Sequence, residues 1–301
     1  MKQSILEQLT ASVDRCAFRS DEPMSSHTTF RIGGSAALFC LPETPEALIA
    51  LLHICWREGV RFMIIGKGSN LLFSDKGFDG AVISTAAMDH ITVDGTHVCA
   101  ECGAALSRVS SVAAEADLAG LEFAHGIPGS VGGAVFMNAG AYRGEMAHVV
   151  ESARVLFGDR IEDVPAEELR FSYRYSALQE NGGVVLSVDF RLHPGKKEES
   201  LLLIRDLDAR RREKQPLDRG SAGSFFKRPK DGFAGALIEE AGLKGASVGG
   251  AQVSPKHAGF IVNNGNATCE DVLKLKDLVV RTVREKSGIE LEMEVRLAGD
   301  L

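Results

Sequence analysis

Residues 61–70 read Arg61-Phe62-Met63-Ile64-Ile65-Gly66-Lys67-Gly68-Ser69-Asn70. The apolar run has the pattern of a buried strand. Two glycines flanking a lysine at its end let the backbone turn sharply and gather successive N–H groups around one anion. A second loop, Gly126-Ile127-Pro128-Gly129-Ser130-Val131-Gly132-Gly133, repeats that chemistry, with a helix expected to start after it. Exposed N–H groups and a helix dipole both favour negative charge, so the pair suits a pyrophosphate held between two loops. Neither loop fits the common nucleotide fingerprints. The P-loop needs an earlier glycine, and residues 61–65 hold none; the Rossmann pattern needs a third glycine where Leu71 stands. The loops alone are a dinucleotide site of another kind, or two surface turns.

At 301 residues the chain is long enough for two domains, each with a core. Its 45% apolar and 25% charged residues are ordinary for a globular protein. A net charge of -7 argues against nucleic acid, whose phosphates need a basic surface. No apolar run approaches the roughly 18 residues that would span a membrane. The charged amphipathic start does not resemble a signal peptide. Six cysteines are too sparse for a disulfide scaffold, and a reducing cytoplasm is expected. Cys99-Ala100-Glu101-Cys102 is a lone CxxC in a strand-like setting. Without a second pair it is read as structural, and no metal site is expected.

Apolar spacing predicts a helix from Ser4 to Phe18. Ala36 to Leu41 reads as a strand, then Thr44-Pro45 starts a helix that Gly59 closes, and with the strand before Gly66 this makes a short βαβ unit. Asp94-Gly95 between two short strands predicts a hairpin. Ala105 to Ala116 reads as a helix stopped by Gly120. Strands follow at Val149 to Leu156 and Val184 to Leu192, with the aromatic and cationic segment Phe171-Ser172-Tyr173-Arg174-Tyr175-Ser176 between them. The charged stretch after His193-Pro194-Gly195 sets a boundary: residues 1–199 form one domain and 200–301 another. In the second, helices are expected over Ser200 to Gln215, Gly235 to Ala241 and Glu270 to Ser287, with Thr268 as cap. A strand is expected over Gly259 to Asn263. Glu290 to Leu297 alternates acidic and apolar residues as an edge strand would.

Taken together, Thr28-Thr29-Phe30-Arg31-Ile32-Gly33-Gly34, the two glycine loops, Gly223-Ser224-Phe225-Phe226-Lys227 and Glu294-Val295-Arg296 resemble the UDP-N-acetylenolpyruvoylglucosamine reductases, FAD enzymes that complete UDP-N-acetylmuramic acid for peptidoglycan. The resemblance covers nearly the whole chain. It implies an α+β fold: a vanillyl-alcohol-oxidase/PCMH-type FAD-binding domain of two α+β subdomains, then a smaller α+β substrate-binding domain. Tyr173-Arg174 is followed within about ten residues by the strand at Val184, which leaves no room for the tyrosine loop of the family's longer form. The shorter form is implied.

The resemblance also implies roles. Arg174 and Glu294 would stabilise an enolate and Ser224 would protonate it. Arg31, Gly66, Lys67, Gly68, Ser69, Asn70, Gly126, Pro128, Gly129, Ser130, Gly132, Gly133, Asn138, Ala139 and Gly140 would contact FAD, held without a covalent bond. Tyr173, Lys214, Phe225, Lys227, Arg228 and His257 would contact the sugar nucleotide, the last two adding cationic contacts where the longer form has asparagine and glutamine. NADPH would reduce FAD and leave before the enolpyruvyl sugar nucleotide enters the same cleft. Another FAD oxidoreductase of the fold, or a non-catalytic nucleotide binder, would keep the glycine loops without needing Ser224 and Glu294. No protein partner is implied.

Overall fold

The computed structural model describes residue 9 and residues 11–301. Most of the helix expected over Ser4–Phe18 lies outside these residues. Leu9, Ala11 and Ser12 are helical, but Cys16 already opens strand β1 (Cys16–Pro23), so the helix ends sooner than its apolar spacing suggested. Strand β2 (Ser35–Pro42) leads to helix α1 (Pro45–Glu58). Thr44 caps α1 by accepting from the Ala47 N–H, and Gly59 ends it at φ 63°. Strands β3 (Phe62–Ile65), β4 (Leu71–Phe73) and β5 (Phe78–Ser84) follow. Then β6 (Ile91–Asp94) and β7 (His97–Glu101) form the expected hairpin, pairing Asp94 with His97.

Helix α2 (Leu106–Glu115) stops at Ala116, with Asp117 left-handed at φ 56°. Gly120 is not its cap, because the two-residue strand β8 (Leu118–Ala119) intervenes. Next come α3 (Val131–Phe136), β9 (Gly140–Ala141), β10 (Gly144–Glu145), β11 (Val150–Phe157), β12 (Arg160–Pro165), α4 (Leu178–Asn181), β13 (Val184–Arg191), β14 (His193–Pro194) and α5 (Lys197–Lys214). The chain closes with α6 (Ala234–Glu240), β15 (Ser247–Val248), β16 (Ala251–Val253), β17 (Ile261–Asn263), α7 (Cys269–Ser287) and β18 (Arg296–Ala298).

Two compact units share these elements. The first holds the described residues up to Arg19, with Phe39–Lys67 and Gly80–Arg211; the second holds Ser20–Leu38, Gly68–Asp79 and Arg212–Leu301. In the first unit β12-β11-β13-β7-β6 form an antiparallel sheet, with α2 against β6 and β7, and α3 against β7 and β13. The unit also holds β3 and most of β5, paired in parallel in a sheet ordered β1-β2-β5-β3. The expected βαβ unit therefore has β5 inserted between its two strands. Burial pushes the Cys99 thiol up to about 11 and that of Cys102 to about 12, so neither side of the CxxC is a ready thiolate.

The second unit has its own apolar core. Phe30, Leu72, Phe225, Phe226, Ile238, Val253, Ile261, Leu291 and Val295 pack with Val272, Leu275, Val279 and Val283, which lie on one face of α7. The β15-β16-β17 sheet and the parallel β18-β4 pair complete it. The edge strand expected over Glu290–Leu297 is shorter than its alternation suggested. Regular pairing covers Arg296–Ala298, while Met293 makes a single bridge to Phe226.

α7 begins with a capping box: the Thr268 hydroxyl accepts from the Asp271 N–H at 3.0 Å, and Asp271 accepts from the Thr268 N–H at 3.1 Å. The Thr268 N–H, and then that of Gly250, hold the Asp271 carboxyl below its usual range. A depressed carboxyl lends stability above its ordinary titration range and loses it as pH falls through the folded value. Thr268→Ala is expected to cost about 1 kcal/mol. Urea titration checks this, and a midpoint unchanged at neutral pH would contradict it.

Candidate active site

In the first unit the two glycine loops touch. A Cβ on Gly66 would come within 2.0 Å of the Ser130 Oγ, and one on Gly132 within 2.9 Å of the Cys102 Cβ. Ser130 is buried and caps α3, its hydroxyl accepting from the Gly133 N–H at 3.4 Å. The second loop offers fewer N–H groups to an anion than its glycines promised. Val131 and Gly132 donate to the Ala104 and Cys102 carbonyls, Gly129 donates within the loop to Ile127, and α3 is only six residues long. The first loop differs. The N–H groups of Gly66, Lys67 and Ser69 find no acceptor among the described residues. Polar groups left without a protein partner beside a cradle that a Cβ would fill fit a phosphate-bearing cofactor. Gly126 and Pro128 begin the second loop, with the Arg211 side chain 3.3 Å from where a Gly126 Cβ would stand.

Asn138 is fully buried at φ 42°, and its amide is committed to the protein. Nδ2 donates to the Ser172 carbonyl at 3.0 Å and Oδ1 accepts from the Ala147 N–H at 3.0 Å. The cofactor contact expected at its side chain is replaced by a brace, and what remains for a ligand there is the backbone near Ala139 and Gly140. The braced partner is a tight turn in which Ser172 and Tyr175 exchange both backbone hydrogen bonds at 3.1 Å, with Tyr173 and Arg174 at the tip. Arg174 is left-handed at φ 56°, a conformation that costs a residue with a Cβ roughly 1–2 kcal/mol. Its guanidinium stands 5.1 Å from the Tyr173 ring centre, and Nη2 donates to the Gly140 carbonyl at 3.4 Å. Tyr173 is 51% exposed.

In the second unit Ser224-Phe225-Phe226 forms a middle rung between two other segments. The Phe225 N–H donates to the Gly259 carbonyl at 2.8 Å, and the Phe225 carbonyl accepts from the Glu294 N–H at 2.9 Å. Single bridges join Ser224 to Phe260 and Phe226 to Met293. Burial anchors this rung: Phe225 and Phe226 are almost fully covered, their rings edge-to-face at 5.2 Å, with Phe30 edge-on to Phe225. Ser224, the residue before them, is left exposed. The Phe225 ring therefore belongs to the core, and the substrate contact expected of it does not fit that burial. Asn70 grips the far side of Glu294: Nδ2 donates to the Glu294 carbonyl at 3.3 Å, and the Asn70 carbonyl accepts from the Arg296 N–H at 3.0 Å. Gly68, left-handed at φ 60°, sits where a Cβ would strike the His27 carbonyl at 2.1 Å.

The two acids of this segment differ. Glu292 has a 73% exposed side chain paired with Lys227 Nζ at 3.1 Å, whereas Glu294 is half-buried. Arg228 lies over the Phe233 ring at 4.2 Å, and Lys214 is exposed at the end of α5. His257 is not the cation expected. Its Nδ1 accepts from the Gly259 N–H at 3.1 Å, and burial holds its pKa below the usual value. Arg31 is left-handed at φ 58°, and its carbonyl accepts from the buried Asn263 side chain at 3.2 Å. Two polar residues escaped the sequence reading, Gln179 and Asn263. For Asn263 the available signal was an amide closing the apolar run Ile261-Val262, since buried amides must find partners; for Gln179, followed by Glu180 and Asn181, there was none.

Comparison with known proteins agrees with this geometry. Residues 36–159 match the family model of an FAD binding domain, and 215–298 match that of the C-terminal domain of UDP-N-acetylenolpyruvoylglucosamine reductase. The chain is 46% identical over 301 residues to the UDP-N-acetylenolpyruvoylglucosamine reductase of Caldanaerobacter subterraneus subsp. tengcongensis, covering all of both chains. It is 45% identical to that of Clostridium novyi, over 98% of this chain and 97% of the other. The crystal structure of the Thermus caldophilus reductase superposes with a TM-score of 0.80 at 37% identity, covering 94% of this chain and 98% of that one. An α+β chain with an FAD-binding module, a C-terminal reductase domain and this full-length likeness belongs to the UDP-N-acetylenolpyruvoylglucosamine reductase family, in its short form.

Proposed function

We propose that Arg174, Ser224 and Glu294 carry the chemistry by which this FAD-dependent oxidoreductase reduces UDP-N-acetylglucosamine enolpyruvate to UDP-N-acetylmuramate in peptidoglycan synthesis. The observation that most supports these roles is the Phe225–Glu294 hydrogen bond, which sets Glu294 across from the rung whose next residue is the exposed Ser224. Bound FAD would supply the hydride, drawn from NADPH, that adds to the terminal carbon of the enolpyruvyl group. Negative charge then develops on the adjacent carbon and spreads into the substrate carboxylate, so the protein's task is to hold positive charge and donors there. Arg174 is permanently charged and shaped to grip a carboxylate through two parallel bonds. Ser224, a poor acid in water, gives its proton to a far stronger carbon base, and Glu294 hydrogen-bonds the enolate or assists that transfer.

In this reading residues 1–199 bind the flavin and 200–301 the sugar nucleotide, a division consistent with family models that end at 159 and start at 215. Gly66 to Asn70, Gly126 to Gly133, Arg31 and the backbone of Ala139 and Gly140 face the cofactor. Tyr173, Lys214, Lys227 and Arg228 serve the diphosphate sugar. The flavin is held without a covalent bond: His125, next to Gly126, has its Nδ1 3.0 Å from the Asp208 carboxylate. Small molecules are the partners, and a cytoplasmic setting follows from the nucleotide substrates. No helix among the described residues is long and apolar enough to cross a membrane.

Three measurements test this reading. Gly66→Ala pushes a methyl into the Ser130 hydroxyl, so the variant is expected to fold yet purify with most of its flavin lost; full yellow occupancy would contradict the cradle. In stopped flow, Ser224→Ala should leave FAD reduction by NADPH unchanged and slow reoxidation by the sugar nucleotide by orders of magnitude, since only that step makes a carbon base. Equal slowing of both half-reactions would make Ser224 structural. Glu294→Gln should lower turnover at least a hundredfold, a barrier rise of roughly 3 kcal/mol, while the exposed Glu292→Gln stays close to the unmodified enzyme. The reverse order would refute the assignment.

A further inference from the structure

We infer that Gln179 is a positioning residue for Arg174, holding the left-handed turn that aims its guanidinium. The inference rests on the enolate-stabilising role proposed for Arg174. Gln179 lies on the one-turn helix α4, which starts three residues after the turn closes. Its Nε2 donates to the Arg174 carbonyl at 3.0 Å and to the Phe136 carbonyl at 2.9 Å. Both partners are pure acceptors, so the nitrogen of this amide, not its oxygen, faces them. The Phe136 carbonyl also accepts from the Ser176 hydroxyl at 2.8 Å, so that carbonyl keeps a partner without Gln179. The bond to the Arg174 carbonyl is the distinctive one. It clamps the peptide plane after a residue at φ 56°, and such a conformation persists only where the surroundings over-determine it.

The other constraints on the turn act elsewhere. Asn138 fixes the Ser172 carbonyl before the tip, and the Tyr175 N–H, which shares the peptide plane of the Arg174 carbonyl, donates to that Ser172 carbonyl and so holds one edge of the plane after Arg174. Gln179 holds the opposite edge, at the Arg174 carbonyl, and completes the clamp. Losing it frees the turn to relax and lets the guanidinium leave the Gly140 carbonyl on which it now rests. A displacement of about 1 Å at a charge-stabilising group commonly costs around a hundredfold in rate.

The test is rapid-kinetic measurement of both half-reactions on the flavin-loaded enzyme. Gln179→Leu keeps the volume and removes both donors. Reoxidation by the enolpyruvyl sugar nucleotide should slow 10- to 100-fold while reduction by NADPH stays within twofold. Placed on Arg174→Ala, the same change should add less than threefold, because the group it positions is gone. A full second penalty there, or equal slowing of both half-reactions, would make Gln179 merely structural and overturn the inference. If Gln179→Leu does not hold flavin, Gln179→Glu decides. Its carboxylate faces carbonyls and regains a donor only when protonated, so its reoxidation rate relative to the unmodified enzyme should rise as pH is lowered toward 5. A flat ratio overturns the inference. Slow reoxidation in Arg174→Ala with normal rates in Gln179→Leu defeats the inference alone, while normal rates in Arg174→Ala defeat the reading of Arg174 as well.

Discussion

The hydrogen bond from the Glu294 N–H to the Phe225 carbonyl organises the part of the second unit that carries Ser224 and Glu294. It joins two segments almost 70 residues apart and sets the register in which Lys227 then meets Glu292 through both backbone and side chain. Hydrophobic burial fixes one partner: with Phe225 and Phe226 locked into the core, the rung cannot slide without exposing an aromatic ring. A slip of one residue would also turn Ser224 inward. Asn70 closes the other side by holding the backbone on both flanks of Val295. The reactive side chains are thus carried by a backbone whose position is set by packing they take no part in.

The first unit solves a different problem. For two loops proposed to share one phosphate-bearing ligand, the contact between Gly66 and Ser130 is tight enough to exclude even a methyl group. The second loop gives up its own N–H groups to Ala104 and Cys102, which fastens it to the rim of the antiparallel sheet rather than leaving it open to a ligand. One loop is anchored and the other keeps free donors. That division of labour sets a rigid wall opposite a backbone whose donors have no acceptor among the described residues.

Much of this was legible in the chain itself. Thr44-Pro45, Gly59, Asp94-Gly95 and Thr268 marked their boundaries because caps and tight turns are decided by local chemistry. What escaped notice depended on distant partners. β5 enters between β2 and β3 although nothing near Gly66 signals it. Glu290–Val295 has the alternation of a strand, yet Phe226 and Asn70 supply its pairing in place of a continuous neighbour. The motifs placed Arg174, Ser224 and Glu294 by resemblance, but the commitment of Asn138 to Ser172 and of His257 to Gly259 required the folded backbone. The full burial of Phe225 likewise required the folded backbone, since exposed Ser224 stands beside it in the same motif.

The left-handed backbone of Arg174 sets folding against chemistry at one position. Glycine would take up the same turn without strain, and it would leave the site without its cation. The residue that strains the turn is the one proposed here to stabilise the enolate. Variants chosen only for thermal stability would therefore drift toward smaller or more permissive side chains here, gaining robustness as they lost turnover.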